Sequence, residues 1–326
     1  MLNTEKMMDL NNLYKNCRLC PRNCCVDRLA VKNGCCRHGY CHEEAGLRLS
    51  FAGLHSGEEP PLSGKHGSGT IFVAGCNLSC ALCQNWQISG RVSSGCGQKR
   101  LGREVSTGEF AAICLKLQNL GATNINIVTG SHAVPAIING LEAAKTAGLC
   151  IPVLWNSSGY ENIETLKLLS GIVDIWLPDL KTLNPQLSAL FFNASDYPEA
   201  AQKAILWMLS LGKPDKIIIR HLILPGYLES SREVLRWFSR NAAGKAQLSL
   251  MSQYTPVSSA GPQRFLSKHE YNTVIGWLLE FGIEDGFCQE YVTESDWLPD
   301  FSRVNPFSSE LSVPVWHYTM DVLALY

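Results

Sequence analysis

The sequence predicts an α/β fold, a partial (βα)6 TIM-like barrel with an N-terminal cysteine-rich metal module. Three observations carry this prediction. From about residue 66 onward, short apolar runs alternate with amphipathic segments, as repeated βα units around a parallel sheet require. Six or seven such units can be counted, fewer than the eight of a closed barrel. The cysteines crowd the first 41 residues and then a single short loop, Cys76 to Cys83. With 326 residues, 46% of them hydrophobic, the chain can bury a full core.

The first strand is read at residues 69–75, with the three clustered cysteines directly after it on a βα loop. A helix follows at 107–120, with Thr107 as N-cap and Gly121 as its stop. Then come strand 124–129, helix 134–147, strand 151–155, helix 163–169 and strand 172–177. A short helix at 185–192 and a helix at 199–211 lead into strand 216–223. Helix 231–240, strand 247–251, helix 268–281 and strand 286–292 complete the series. Residues 1–65 form the cysteine-rich module, 66–292 the barrel and 293–326 a weakly periodic wrapping extension.

The formal net charge of -1, without long like-charge runs, points away from nucleic acid and membrane surfaces and toward a protein or small-molecule partner. No apolar leader or span of 18 apolar residues is present, so the chain reads as cytoplasmic. Disulfides rarely persist in a reducing compartment, which makes metal or cluster ligation the default for the clustered cysteines. The scattered Cys96, Cys114, Cys150 and Cys288 read as small buried hydrophobes.

Ligands of parallel βα folds bind where the strands end. The strand ends offer Cys76, Cys80 and Cys83; Thr129, Gly130, Ser131 and His132; Asn156, Ser157 and Ser158; Asp179 and Lys181; Arg220 and His221; Gln253 and Tyr254. The sharpest element is the CxxxCxxC of Cys76, Cys80 and Cys83. Three soft thiolates on one loop suit a [4Fe-4S] cluster with one iron left open to a non-protein donor; the alternative is a structural zinc site completed by a histidine, or three unrelated thiols.

The segment from Ala74 to Ser89, Ala-Gly-Cys-Asn-Leu-Ser-Cys-Ala-Leu-Cys-Gln-Asn-Trp-Gln-Ile-Ser, resembles the cluster loop of radical S-adenosylmethionine (SAM) enzymes, specifically proteins similar to pyruvate formate-lyase activating enzyme. Further segments resemble that subfamily at residues 55–60, 67–70, 124–128, 156–160, 173–181, 196–199 and 219–226. The resemblance implies a [4Fe-4S] cluster that chelates SAM and cleaves it reductively to methionine and a 5′-deoxyadenosyl radical, which abstracts hydrogen. It implies a protein or peptide substrate, with glycyl-radical enzyme activation as one case and a small molecule as the alternative, and an electron donor such as flavodoxin or ferredoxin.

By the same resemblance Leu82 lies near the adenine, and Thr129, Gly130, Ser131 and His132 stand where the family contacts the SAM amino group. Asn156, Ser157 and Ser158 replace a stretch linked to SAM and a monovalent cation. Neither loop carries the acid the family uses there. Asp179 and Lys181 match the family, and Arg220 is implied to pair with the SAM carboxylate. Read from the residues alone, Asn156 and Ser157 serve equally as helix caps, Asp179 and Lys181 as a solvated strand end, and only one of Arg220 and His221 can face the barrel.

Cys17, Cys20, Cys24 and Cys41 resemble an appended module of the subfamily. Four thiols at these intervals suit zinc or an auxiliary cluster, and so polar a segment folds poorly without such a tie. Cys25, Cys35 and Cys36 leave the fourth ligand open. A non-catalytic iron–sulfur or zinc protein is the remaining alternative class.

Overall fold

A computed structural model of the chain describes residues 10–32, 35–36, 38–90, 101–292 and 298–320. Cys96 lies outside these residues. A two-stranded ribbon, β1 (Val31–Lys32) and β2 (Cys35–Cys36), precedes the main sheet.

The main sheet begins with β3 (Leu47–His55), a strand buried on both faces, and β4 (Ser68–Val73), which pairs with it antiparallel. After the short edge strand β5 (Arg103–Val105), β6 (Ile125–Val128), β7 (Val153–Ser157) and β8 (Ile175–Pro178) follow β4 in parallel order. Next come β9 (Ile218–Leu222), β10 (Gln247–Met251) and the three-residue β11 (Gly286–Cys288), again parallel. Bridges Trp176–Ile217 and Asp179–Arg220 join β8 to β9, so the parallel series is continuous. Among the described residues β11 ends one edge and β12 (Ser312–His317) the other, and the barrel stays open.

From β6 to β10 each parallel strand is followed by a helix, and the helix Thr107–Asn119 comes after β4 and the short β5. Helix Thr107–Asn119 starts one residue earlier in its capping than expected. Ser106 accepts from the Glu109 amide at 3.2 Å while Glu109 accepts from the Ser106 amide at 2.8 Å, a reciprocal box that Thr107 could not make. Helices Val134–Thr146, Tyr197–Leu209 and Leu228–Asn241 bury apolar stripes against the same core. No helix among the described residues is long and apolar enough to cross a membrane.

Two expected boundaries are corrected. A division at residue 66 cuts the β3–β4 hairpin, because residues 47–55 belong to the sheet. The supposed wrapping extension supplies β12, which pairs antiparallel with β3 and buries Trp316 completely. Trp316→Ala should therefore cost about 3–5 kcal/mol in chemical denaturation, as for a core tryptophan. A loss below about 1 kcal/mol, the range of surface positions, would mean that β12 is peripheral.

Candidate active site

The loop after β4 turns at Gly75, whose φ of +85 and crowded surroundings exclude a side chain. A Cβ there would lie 2.5 Å from Glu43 Cγ and 3.0 Å from the Cys41 carbonyl. Beyond it, Asn77 donates to the Tyr160 carbonyl at 2.7 Å, and the Ala81 amide to that of Phe191 at 2.7 Å. These anchors present Cys76, Cys80 and Cys83 to one cavity of about 740 Å³ at the carboxyl ends of the strands.

Burial pushes the Cys83 thiol up to about 11, with Cys76 adding to the shift. Burial also raises Cys80, against the pull of Lys181. Such thiols ionise only beside a strong counter-charge. Among the described residues no three His, Cys, Asp or Glu side chains close on one point tightly enough to hold an ion as they stand. The donor chemistry nevertheless fits an iron–sulfur cluster: three soft sulfurs share one loop and face a common cavity.

Thr129, Asn156, Ser157, Ser158, Asp179 and Lys181 line the same cavity, with Lys181 close enough to Cys80 for the two charges to interact. Lys181 Nζ donates to Asp179 Oδ2 at 2.5 Å. Burial works against this ammonium, but Asp179 and then Cys80 outweigh it and its pKa rises. Tyr197 accepts from the Lys181 amide, and its hydroxyl lies 2.9 Å from the carbonyls of Ser158 and Asp179, joining two strand ends. Leu82 lines the cavity beside an apolar group containing Phe191, Phe192 and Tyr254. Gln253 also lines it. Tyr254 is buried, donating to the Pro262 carbonyl at 2.9 Å.

On β9 the pleat sends Arg220 inward and His221 outward. His221 is held between the Leu180 carbonyl at 2.7 Å and Ser231 Oγ at 2.9 Å, and burial pushes its pKa down to about 4. Arg220 donates to both Glu59 carboxylate oxygens at 2.7 and 2.5 Å, and also to Glu58. Asn126 donates to the other Glu58 oxygen at 2.8 Å. Burial opposes the Glu59 charge, yet Arg220 holds that carboxyl below its usual range. Two carboxylates of the chain thus occupy the guanidinium for which an external carboxylate was expected. His55 also lines the cavity, stacked 4.7 Å from Phe307.

Residues 70–238 match the radical SAM superfamily. A protein of Methanocaldococcus jannaschii, described as uncharacterized, is 32% identical over 256 residues, which is 76% of this chain and 69% of the relative. This chain belongs to the radical SAM superfamily.

Among solved structures it is similar to Streptococcus suis SuiB, with 14% identity and a TM-score of 0.46 over 66% of this chain and 47% of that one. The chain therefore spans under half the length of SuiB. Methylornithine synthase (PylB) gives 13% identity and a TM-score of 0.47 over 76% and 73%. A domain of pyruvate-formate lyase-activating enzyme from Bacteroides vulgatus gives 15% and 0.38 over 48% and 91%. Radical SAM proteins are enzymes of radical chemistry that use a [4Fe-4S] cluster and SAM.

Within this radical SAM barrel, three residues named from the sequence have side-chain positions spent elsewhere. Gly130 leaves room for core side chains: a Cβ there would lie 2.6 Å from Ile137 and 2.7 Å from Trp155. His132 is buried with Nε2 2.8 Å from the Ala74 carbonyl, and burial, then Arg28, push its pKa down to about 3. Ser131 donates to Glu161 Oε1 at 2.9 Å. Glu161 escaped the sequence reading because it follows the strand-end motif rather than lying in it. It also accepts from Trp155 Nε1 and Ser157 Oγ, both at 2.8 Å, and burial raises its pKa.

The N-terminal thiols lie near one another, without closing into a metal-holding group among the described residues. Cys17, Cys20 and Cys41 are buried and Cys24 is half-buried. Burial pushes Cys20 up to about 12, with Cys41, Cys17 and Cys24 each adding to the shift. Arg28, 1% exposed, donates to Cys17 Sγ at 3.6 Å and to the carbonyls of Glu43, Glu44 and His132. Cys25 is exposed and turned out at a φ of +54. The side chains of Cys35 and Cys36 lie outside the described residues. Of the scattered cysteines, Cys114 is buried as expected, whereas Cys150 and Cys288 are exposed.

Arg220→Ala strands two carboxylates inside the barrel and should destabilise the fold by about 3–5 kcal/mol. Adding Glu58→Gln and Glu59→Gln should recover most of the loss in the same denaturation assay. Absence of recovery would show that the ion cluster is not the cause.

Glu161 gives a pH signature. Burial holds its folded pKa above the ordinary carboxyl value of 4.5, so its stabilising contribution is full below that value and fades as pH rises through the folded pKa. Glu161→Gln has no such dependence. Its stability relative to the parent should improve between acidic and neutral pH, and a constant gap would contradict a buried, raised carboxyl.

Proposed function

We propose that this protein cleaves SAM reductively at a [4Fe-4S] cluster held by Cys76, Cys80 and Cys83, and abstracts hydrogen from a protein or peptide substrate. The observation that carries this reading is the placement of three half-buried thiols on one loop of a radical SAM barrel, in a shared cavity with Asp179 and Lys181. When bound, the cluster and SAM together supply the one-electron cleavage that yields methionine and a 5′-deoxyadenosyl radical.

The chain's own residues supply position and charge. Cys76, Cys80 and Cys83 ligate three irons, leaving one for the amino acid end of SAM. Leu82 offers an apolar face to the adenine. Asn156, Ser157 and Ser158 offer polar groups to the SAM side of the cavity, and Thr129 contributes from the β6 end. Asp179 fixes the Lys181 ammonium beside the cluster loop, where it offsets thiolate charge. Arg220 can meet the SAM carboxylate only by sharing its guanidinium with Glu58 and Glu59. Glycyl-radical enzyme activation is the specific case favoured by the sequence resemblance, with a flavodoxin or ferredoxin as electron donor.

The N-terminal module holds a second metal through Cys17, Cys20, Cys24 and Cys41. Zinc suits four thiolates, with an auxiliary cluster as the other option. The buried Arg28 supports a charged form of this group, since a guanidinium against Cys17 Sγ gains most from a thiolate.

Anaerobically reconstituted protein, reduced in the presence of SAM, should release 5′-deoxyadenosine. Changing Cys76, Cys80 and Cys83 together to Ala should abolish that product and the cluster absorption, while elemental analysis still finds about one metal site per chain, as four thiolates would hold. Continued SAM cleavage would overturn the cluster assignment, and loss of all metal would overturn the second site.

A further inference from the structure

Two side chains of the four-cysteine module, Arg22 and Tyr40, reach the backbone of the cluster loop. Arg22 stands between Cys20 and Cys24. Its Nε donates to the Asn77 carbonyl at 2.8 Å, and its Nη2 donates to those of Leu78 at 3.1 Å and Asn193 at 2.8 Å. The guanidinium lies 3.8 Å from the centre of the Tyr40 ring. The Tyr40 hydroxyl donates to the same Leu78 carbonyl at 3.3 Å.

The Asn77 carbonyl and the Leu78 amide belong to one peptide unit. While that carbonyl accepts from Arg22, that amide donates to Cys76 Sγ at 3.4 Å. A cation on the oxygen end of a peptide draws electron density from its nitrogen and strengthens the N–H as a donor. Hydrogen bonds to ligand sulfurs stabilise the more negative, reduced form of an iron–sulfur cluster. A second tie flanks Cys76 on the other side: Arg28 donates to the His132 carbonyl at 2.7 Å, and the His132 ring meets the Ala74 carbonyl.

We propose that Arg22 is a positioning residue of the radical site, acting through the Asn77–Leu78 peptide on Cys76 Sγ, so that the four-cysteine module raises the reduction potential of the cluster next to it. This rests on the reading that Cys76 is a cluster ligand. The module is then part of the redox apparatus, and its contribution is a fixed charge and a fixed peptide orientation.

The test compares full-length protein with Arg22→Gln, Arg22→Lys and Tyr40→Phe, all reconstituted anaerobically. Arg22→Gln should keep both metal contents but lower the midpoint potential, alter the electron paramagnetic resonance of the reduced cluster, and slow 5′-deoxyadenosine release about ten-fold, as loss of a ligand-supporting contact does. Arg22→Lys keeps the charge without the fork and should recover part of the potential. Tyr40→Phe leaves every thiol and Arg22 in place and should shift the potential less, in the same direction. An unchanged potential and spectrum in Arg22→Gln overturn the proposal, and if that variant does not fold, an unchanged Tyr40→Phe does so. Cys76→Ala separates the two readings: if it still holds the cluster, the ligand assignment and the proposal fall together, whereas a cluster-free Cys76→Ala beside an unaltered Arg22→Gln overturns the proposal alone.

Discussion

A charge inside an apolar barrel persists only opposite another charge, and the Arg220 clasp on Glu58 and Glu59 is where this chain meets that constraint most fully. The guanidinium projects from β9, and both carboxylates project from the loop after β3, 161 and 162 positions earlier in the chain. Asn126 on β6 completes the group. A strand, a loop and a second strand are thereby fixed around one point before any ligand arrives. The cavity consequently has a preset polarity, with one net negative charge from two carboxylates and one guanidinium in this group and a compensated Lys181–Asp179 pair near the thiols.

The same rule organises the amino-terminal end. Arg28 is as buried as a core leucine, and its partners are three carbonyls and one sulfur. Carbonyl dipoles solvate a guanidinium but do not neutralise it, so ionised thiols beside it would stabilise both groups. Arg22 extends the pattern outward, stacked between Tyr40 and Tyr160 while its donors engage the cluster loop. The module is therefore packed into the barrel: the Cys41 carbonyl sits where a Gly75 side chain would be, directly before Cys76.

Much of this architecture was legible because βα repetition leaves a strong pattern. Strand β4, strands β6 to β10 and their helices fall within a few residues of their expected places. What escaped notice escaped for physical reasons. Strand β3, Leu-Arg-Leu-Ser-Phe-Ala-Gly-Leu-His, alternates apolar and polar only over its first five residues, and it lies ahead of the βα repetition from which the barrel was read. β12 carries Pro314 and pairs at a bulge, which interrupts its periodicity. Among the site residues, strand-end position placed Thr129, Asn156, Ser157, Asp179, Lys181 and Arg220 on the cavity. It could not reveal that Arg220 is met by Glu58 and Glu59, because a contact across some 160 residues leaves no local signature.

Glu161 shows why carrying roles across a resemblance one position at a time can mislead. Two loops lack the acid that the sequence resemblance implies: after β6 stand Gly130, Ser131 and His132, and at the end of β7 stand Asn156, Ser157 and Ser158. In the fold these loops are neighbours, since β6 and β7 pair in parallel. A single carboxylate placed just beyond the second loop accepts from Ser131 in one and Ser157 in the other, and from Trp155 beneath them. Three donors converge on Glu161, so it can bear burial that would otherwise cost several kcal/mol. The serines in turn are fixed in rotamer, with Ser157 still on the cavity wall. An acid is therefore present in this region of the barrel, behind the wall, where it orients Ser157 on the cavity side and Ser131 and Trp155 beneath.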